Sequence, residues 1–152
     1  MKIFLAQLNP IIGDLDGNAK NIFDVLSIAH KKSANLVITP ELSLWGYPPK
    51  DLLYQKDLLD KQEIILNDFS KNVAKYYGNL SVTIGIAEEI NDGFFPNLYN
   101  SIALIENGQW VIIARKIILP TYEVFDEKRY FRSQENVSVL EKNLDNKNWK
   151  IG

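Results

Sequence analysis

Residues 101–116 read SIALIENGQWVIIARK and determine how the predicted sheet is connected. Two largely apolar segments, 101–105 and 110–114, flank the dipeptide Asn107-Gly108. Asn-Gly favours the positive φ angles of a type I′ turn, which joins two antiparallel strands directly. The sequence therefore predicts a β-hairpin whose second strand runs straight into Lys116.

The segments before this hairpin predict strands connected by helices. Residues 2–8 form a nearly continuous apolar run, which is typical of a strand covered on both faces. Capping residues at 16–18 predict a first helix that ends near Ser33. Further elements follow along the chain: a buried strand at 36–39 stopped by Pro40, a second helix over roughly 57–77 and a third strand at 80–87. The order β-α-β-α-β-β-β mixes crossovers with a hairpin, so the predicted class is α/β with a mixed sheet.

The residues after the hairpin predict a long loop and two short strands. Residues 117–135 are polar and aromatic with no clean period, which indicates a functional loop. Short segments at 137–140 and 149–152 predict one further strand and the opening of another.

The composition predicts a single domain and excludes several classes of site. The chain has 152 residues, 46% of them hydrophobic, and a net charge of −2 without a basic stripe, so we expect no nucleic-acid partner. It has no cysteine and only one histidine, His30, which excludes disulfides and makes a zinc site a poor expectation. No stretch approaches the ~20 apolar residues of a membrane span, and the N-terminus does not have the form of a secretory signal. We therefore expect a cytoplasmic protein with no membrane partner.

Two charged residues follow predicted strands directly. Glu41 comes after the strand at 36–39, and Lys116 comes after the hairpin. Reactive groups in α/β sheets gather where strands end and loops begin. A single Glu or Lys in such a place is more often simply exposed, so the neighbouring motifs decide the interpretation.

Two motifs carry a family resemblance. Residues 40–47 read PELSLWGY, and residues 116–131 read KIILPTYEVFDEKRYF. Together with the first strand and with Tyr99-Asn100-Ser101, they resemble the nitrilase (carbon–nitrogen hydrolase) superfamily. The resemblance is greatest to the glutaminase domain of glutamine-dependent NAD⁺ synthetases, because the run over 119–127 is particular to that branch.

The resemblance implies both a fold and a reaction. The implied fold is a four-layer α-β-β-α sandwich with mixed sheets, of which residues 1–152 would be the N-terminal portion of a glutamine amidohydrolase domain. In the implied Glu-Lys-Cys reaction, a cysteine thiolate attacks the side-chain amide of glutamine, releases ammonia and leaves a thioester that water hydrolyses.

The resemblance also implies roles for five residues of this chain. Glu41 matches the general base, Lys116 the cation that stabilises the oxyanion, and Glu127 a second glutamate that holds this lysine. Two carboxylates beside Lys116 are expected to keep it charged. Tyr47 and Phe125 match positions that line the glutamine pocket, although plain core aromatics would give the same pattern.

The complete enzymes of this branch pass ammonia to a separate C-terminal domain. That domain uses ATP and Mg²⁺ to convert nicotinate adenine dinucleotide to NAD⁺, and nothing in this sequence resembles it. We expect no cofactor for the present domain, glutamine as its substrate, and a synthetase domain and homo-oligomeric assembly in the full-length protein. Asp126, Arg129 and Tyr130 are expected either to order their loop or to face the ammonia tunnel and a partner subunit.

The absence of cysteine is the one departure from the family pattern. The family places its nucleophile a few residues into the strand that residues 150–152 begin. We therefore expect a domain cut short before its nucleophile and inactive by itself. Strands meant to pack on both faces would expose apolar surface, so the chain is also expected to misfold or aggregate.

Two other functions stay open from sequence. The first is another carbon–nitrogen hydrolase, such as an amidase or carbamoylase, and the run over 119–131 argues against it. The second is a non-catalytic binding module, which the absence of cysteine would suit. The retention of Glu41, Lys116 and Glu127 together argues against it, because desolvating such charges costs on the order of several kcal/mol per ion.

Overall fold

The computed structural model describes residues 1–136, 140–144 and 147–151 of the chain. Within these ranges the helices and strands are, in order, β1 (Ile3–Leu5), α1 (Leu15–Lys31), β2 (Leu36–Ile38), α2 (Lys56–Tyr77), β3 (Ser81–Glu89), β4 (Leu98–Glu106), β5 (Gln109–Arg115), β6 (Leu140–Leu144) and β7 (Lys147–Ile151). Two short 3₁₀ helices, Lys50–Tyr54 and Glu127–Arg129, lie before α2 and in the loop after β5.

Strands β1 to β5 form one mixed sheet in the order of the chain. β1, β2 and β3 are parallel and are joined by crossovers through α1 and α2. β3, β4 and β5 are antiparallel, and β6 pairs with β7 in a separate two-stranded sheet. The predicted α/β class with mixed strand pairing is confirmed.

The hairpin of β4 and β5 has the predicted turn. Glu106 pairs with Gln109, and the two residues between them, Asn107 and Gly108, have φ angles of 52° and 78°. Positive φ at both central positions is the requirement of a type I′ turn. The structure also places Lys116 directly after the last residue of β5, as predicted.

The boundaries of the other elements differ slightly from the predictions. α1 begins before the predicted cap, because Asp14 is the N-cap and its carboxylate accepts a hydrogen bond from the Gly17 N–H at 3.0 Å. The strand predicted over 137–140 lies outside the described residues except for Leu140, which begins β6. The strand opening predicted at 149–152 falls within β7 up to Ile151.

Both helices are amphipathic and bury one face in a shared core. α1 buries Ile22 and Leu26, and α2 buries Leu66, Phe69 and Val73, whereas Tyr76, which has the same apolar spacing in α2, is exposed. Within the described ranges, no helix is both long and apolar enough to cross a membrane.

The two faces of the five-stranded sheet have different environments. On one face, Val82 of β3 and its partner Ile105 of β4 are buried in the core that contains the helices. On the other face, one register row runs from Leu5 in β1 to Val111 in β5. These two end residues are 66% and 54% exposed, whereas Thr83 and Leu104 between them are 8% and 5% exposed. The prediction that the first strand is covered on both faces is therefore wrong for this structure. β1 is an edge strand, and Leu5 points away from the helices.

Candidate active site

Glu41 lies in the loop of residues 40–46, which follows β2 at the carboxyl edge of the parallel strands. Pro40 stops the strand because it has no backbone N–H to donate to a ladder. Leu42 turns the loop with a positive φ of 45°. The Glu41 side chain is 44% exposed, so its carboxylate stands at the sheet edge where α/β folds bind ligands.

The 40–46 loop rests directly on β3 at Gly85. A Cβ on Gly85 would lie 2.3 Å from the backbone nitrogen of Leu42, so only glycine permits this approach. The Ser43 hydroxyl accepts a hydrogen bond from the Gly85 N–H at 3.1 Å and shares another with the Thr39 hydroxyl at 2.6 Å. These contacts fix the loop and therefore the position of the Glu41 backbone, from which its side chain extends.

Lys116 joins two carboxylates that are distant in sequence. Its Nζ donates to Oε1 of Glu41 at 2.6 Å and to Oε1 of Glu127 at 3.0 Å. The lysine side chain is 27% exposed. The three residues singled out from the sequence therefore form one hydrogen-bonded cluster in the structure.

Glu127 is the buried member of this cluster. It begins the short 3₁₀ helix of the long loop, and its backbone N–H donates to the Pro120 carbonyl at 3.1 Å. Its Oε1 also accepts a hydrogen bond from the Tyr47 hydroxyl at 2.7 Å. Its Oε2 is buried and has no hydrogen-bond partner among the described residues. Glu127 thus connects Lys116 to Tyr47 through hydrogen bonds.

The charges of the cluster shift two pKa values in the same direction. Burial acts to lower the pKa of Lys116, but hydrogen bonds to Glu41 and Glu127 and the charges of both carboxylates raise it above its ordinary value. Burial, the hydrogen bond to Glu127 and the nearby negative charges raise the pKa of Tyr47 well above its usual range. At neutral pH, Lys116 is therefore a cation and Tyr47 a neutral hydrogen-bond donor.

Two cavities lie on either side of the cluster. A cavity of about 340 Å³ is lined by residues of β2 to β5 together with Glu41 and Lys116. A second cavity of about 300 Å³ is lined by Tyr47, Phe125 and Glu127. Among the described residues, no group of three His, Cys, Asp or Glu side chains is arranged to hold a metal ion.

Tyr47 and Phe125, which the resemblance places in one glutamine pocket, lie side by side. Their ring centroids are 6.2 Å apart, and the Lys116 Nζ lies 6.0 Å from the centroid of the Tyr47 ring. Both rings are half-buried and line the second cavity. Their assignment to a glutamine pocket stays a prediction.

Arg129 and Tyr130 connect the long loop to the segment before α2. The Tyr130 hydroxyl donates to Oδ1 of Asp51 at 2.7 Å, and an Arg129 nitrogen lies 3.7 Å from the same oxygen. These contacts favour the loop-ordering role for the two residues. Asp126 is exposed and caps the 3₁₀ helix without a side-chain hydrogen bond.

Asn100 is a site residue to which the sequence assigned no role. Its side-chain Nδ2 donates to Oε1 of Glu41 at 2.6 Å, and the residue is 6% exposed. In the sequence, Asn100 is marked only by its place in the Tyr99-Asn100-Ser101 motif. This motif indicates the family resemblance but does not indicate which residue Asn100 contacts. Its contact with Glu41 depends on the pairing of β4 with β3.

Known proteins resemble this chain in sequence. The family model described as carbon–nitrogen hydrolase matches residues 2–152. A glutamine-dependent NAD(+) synthetase of Thermotoga maritima is 37% identical over 142 residues, which cover 92% of this chain and 23% of that protein. The chain thus spans about a quarter of the length of such curated relatives.

Solved structures resemble the chain in fold. A glutamine-dependent NAD⁺ synthetase from Acinetobacter baumannii, solved with ADP, superposes with a TM-score of 0.81 and 31% identity over 97% of this chain and 26% of that chain. An amidase from Nesterenkonia sp. gives a TM-score of 0.77 at 20% identity, covering 99% of this chain and 54% of that chain. These likenesses confirm the partial nitrilase-like fold that the motifs predicted.

Proposed function

We propose a glutamine-hydrolysing function for this chain, which belongs to the carbon–nitrogen hydrolase family. The observation that carries the proposal is the position of the Lys116 Nζ, 2.6 Å from Glu41 and 3.0 Å from Glu127. A protonated lysine beside a partly exposed carboxylate supplies the cation and the base that amide hydrolysis requires. The similarity to glutamine-dependent NAD⁺ synthetases supports glutamine as the amide and NAD⁺ synthesis as the use of the ammonia.

The first half of the proposed reaction forms a thioester. A cysteine thiol gives its proton to Glu41, and its sulfur bonds to the amide carbon of glutamine. The carbonyl oxygen becomes an oxyanion, which the Lys116 ammonium stabilises. When the C–N bond breaks, Glu41 returns the proton to the departing nitrogen, which leaves as ammonia.

The second half regenerates the thiol. Glu41 takes a proton from water, and the resulting hydroxide attacks the thioester carbon. The C–S bond breaks, glutamate leaves and the thiolate recovers its proton from Glu41. The net reaction converts glutamine and water to glutamate and ammonia. In this scheme Glu127 holds Lys116, and Tyr47 and Phe125 line the glutamine pocket.

The nucleophile is not among these 152 residues, because the sequence contains no cysteine. We therefore propose that this polypeptide by itself is inactive and that the full-length protein supplies the cysteine. ATP and Mg²⁺ would serve a synthetase domain in that protein and not the present domain. Homo-oligomeric assembly and a cytoplasmic location stay predictions from the sequence.

The first experiment is to sequence the coding DNA beyond the Gly152 codon. A reading frame that continues to a cysteine within about ten residues would support the Glu-Lys-Cys mechanism, in which the cysteine follows the glutamate and the lysine along the chain. A stop codon at that point would overturn the catalytic proposal and leave a binding role.

The full-length protein then tests the roles of the cluster. We expect glutamine-dependent ammonia release, and a fall in kcat of about 10²–10³-fold in Lys116→Met, the loss typical of one oxyanion donor. Lys56→Met removes an exposed ion pair with Asp60 and Glu89 and is the matched control. Turnover of simple amides in preference to glutamine would favour an amidase instead.

A further inference from the structure

Asn100 contacts both Glu41 and Lys116. Its side-chain Nδ2 donates to Oε1 of Glu41 at 2.6 Å. Its backbone carbonyl accepts a hydrogen bond from the Lys116 N–H at 2.8 Å. One residue of β4 therefore positions the side chain of Glu41 and the main chain of Lys116.

The backbone and side chain of Asn100 have little freedom to move. The residue is paired with Ala87 of β3 on one side and bonded to Lys116 on the other. It is 6% exposed, and an asparagine side chain has only two rotatable bonds. Its amide is consequently a fixed donor, in contrast to the long and flexible side chain of Lys116.

The two donors to Glu41 converge on a single oxygen. Nδ2 of Asn100 and Nζ of Lys116 both bond to Oε1, each at 2.6 Å. Among the described residues, no donor is bonded to Oε2 of Glu41. An oxygen that already accepts two hydrogen bonds, one from a cation, is a poor proton acceptor, whereas the other oxygen keeps its lone pairs.

We propose that Asn100 is a positioning residue that holds Oε1 of Glu41 and thereby leaves Oε2 to accept and return the proton during amide hydrolysis. The inference rests on the proposed function, because it assigns atoms within that reaction. When Lys116 bonds to the oxyanion, the Asn100 amide still holds Oε1 and the carboxylate keeps its orientation. Asn100 therefore acts through Glu41 and not on glutamine.

The test compares two substitutions at Asn100 in the full-length protein. Asn100→Leu keeps the approximate shape and removes the donor, and it should lower kcat roughly 10- to 100-fold, the loss for one hydrogen bond to a charged group. KM for glutamine should change by no more than about threefold, because no contact with substrate is lost. Asn100→Asp places oxygen where the donor was, so it should be impaired at neutral pH and partly recover at lower pH, where a protonated carboxyl donates again.

A matched control separates positioning from stability. Ser70→Ala removes a buried hydroxyl that bonds to the Gly108 carbonyl at 3.1 Å, at the far end of the same hairpin. It should lower the melting temperature without lowering kcat per folded molecule. If Asn100→Leu behaves in the same way, or if both Asn100 variants keep wild-type kcat, the inference is overturned.

The activity of the wild-type protein distinguishes failure of the Asn100 positioning role from failure of the proposed function. Wild-type glutamine turnover with an unaffected Asn100→Leu variant would overturn the positioning role alone. A wild-type protein that contains the cysteine and does not hydrolyse glutamine would overturn the proposed function and this inference with it. If Asn100→Leu does not fold, the pH-dependent recovery of Asn100→Asp decides the matter.

Discussion

At the scale of single residues, Lys116 and Glu41 are suited to different tasks. The two carboxylates raise the pKa of Lys116 although burial opposes them, so the ammonium stays protonated at neutral pH. A protonated lysine donates to an oxyanion but does not accept a proton. Glu41 is partly exposed and has one oxygen without a donor among the described residues, which supports it as the base.

Tyr47 provides a residue-scale prediction about pH. Its phenol has a folded-state pKa well above the ordinary value near 10, through burial and the bond to Glu127. A raised folded-state pKa means that the folded protein holds the proton more tightly. The resulting stability is present below about pH 10 and is lost as the pH rises above it. As the pH rises from about 9 to 11, the free energy of unfolding should therefore fall less steeply in Tyr47→Phe than in the wild type.

Urea unfolding at a series of pH values measures this difference. At pH 8, Tyr47→Phe should also be less stable by roughly 1–3 kcal/mol, because Glu127 loses a donor to a charged oxygen. Tyr76→Phe, on the exposed side of α2, is the control. Equal slopes for Tyr47→Phe and the wild type would contradict the raised pKa.

At the scale of secondary structure, the site depends on the contact between the 40–46 loop and β3. Gly85 permits that contact, because its missing Cβ leaves room for the backbone of Leu42. The same strand then pairs with β4, which presents Asn100 to Glu41. The position of Glu41 is thus determined by strand pairing as well as by its own loop.

Gly85→Ala tests this dependence. The added Cβ would lie 2.3 Å from the Leu42 nitrogen, so the loop must move away from the sheet. We expect a loss of roughly 1–3 kcal/mol of stability and a fall in kcat on the order of 10²-fold, because Glu41 shifts with its loop. Kinetics and melting curves of the full-length variant measure both effects.

Gly78→Ala is the matched control for this substitution. Gly78 follows α2 and has a negative φ of −46°, so alanine there needs no left-handed backbone. A Cβ added at Gly78 would lie 3.2 Å from the Ala74 carbonyl oxygen, a milder approach than at Gly85, and the substitution should leave kcat unchanged. Wild-type kcat in Gly85→Ala would show that the close approach does not position Glu41.

At the scale of the whole molecule, the second face of the five-stranded sheet is exposed at its edge strands, although Thr83 and Leu104 between them are buried. The helices cover the first, whereas Leu5 and Val111 are exposed on the second. Ile3 and Leu5 of β1 are 46% and 66% exposed, and neighbouring exposed apolar side chains promote association in water. We therefore expect the edge strands of this face to promote aggregation of the chain in isolation.

The 152-residue chain should self-associate through this face. Sedimentation velocity at increasing concentration should show growing species for the wild type and smaller ones for Leu5→Lys/Val111→Lys. Ile64→Lys changes an exposed apolar residue on α2 and should leave association unchanged. A monomeric wild type that melts cooperatively would contradict the prediction.

The sequence by itself determined the features that depend on consecutive residues. Asn107-Gly108 specified the turn of the hairpin, the apolar spacing of α1 and α2 indicated most of their buried residues, and the motifs at 40–47 and 116–131 indicated the family and the charged residues of the site. Such features follow from local backbone preference and periodicity, which are read directly from neighbouring residues.

Only the tertiary structure decided which of these residues meet and how. Lys116 bonds to Glu41 and Glu127, Asn100 bonds to the same oxygen of Glu41, and Leu5 is exposed although its strand looks fully buried in sequence. These outcomes depend on strand order, register and the close approach of the 40–46 loop to Gly85. No local pattern carries that information, because each contact joins segments whose proximity is set by the packing of the whole sheet.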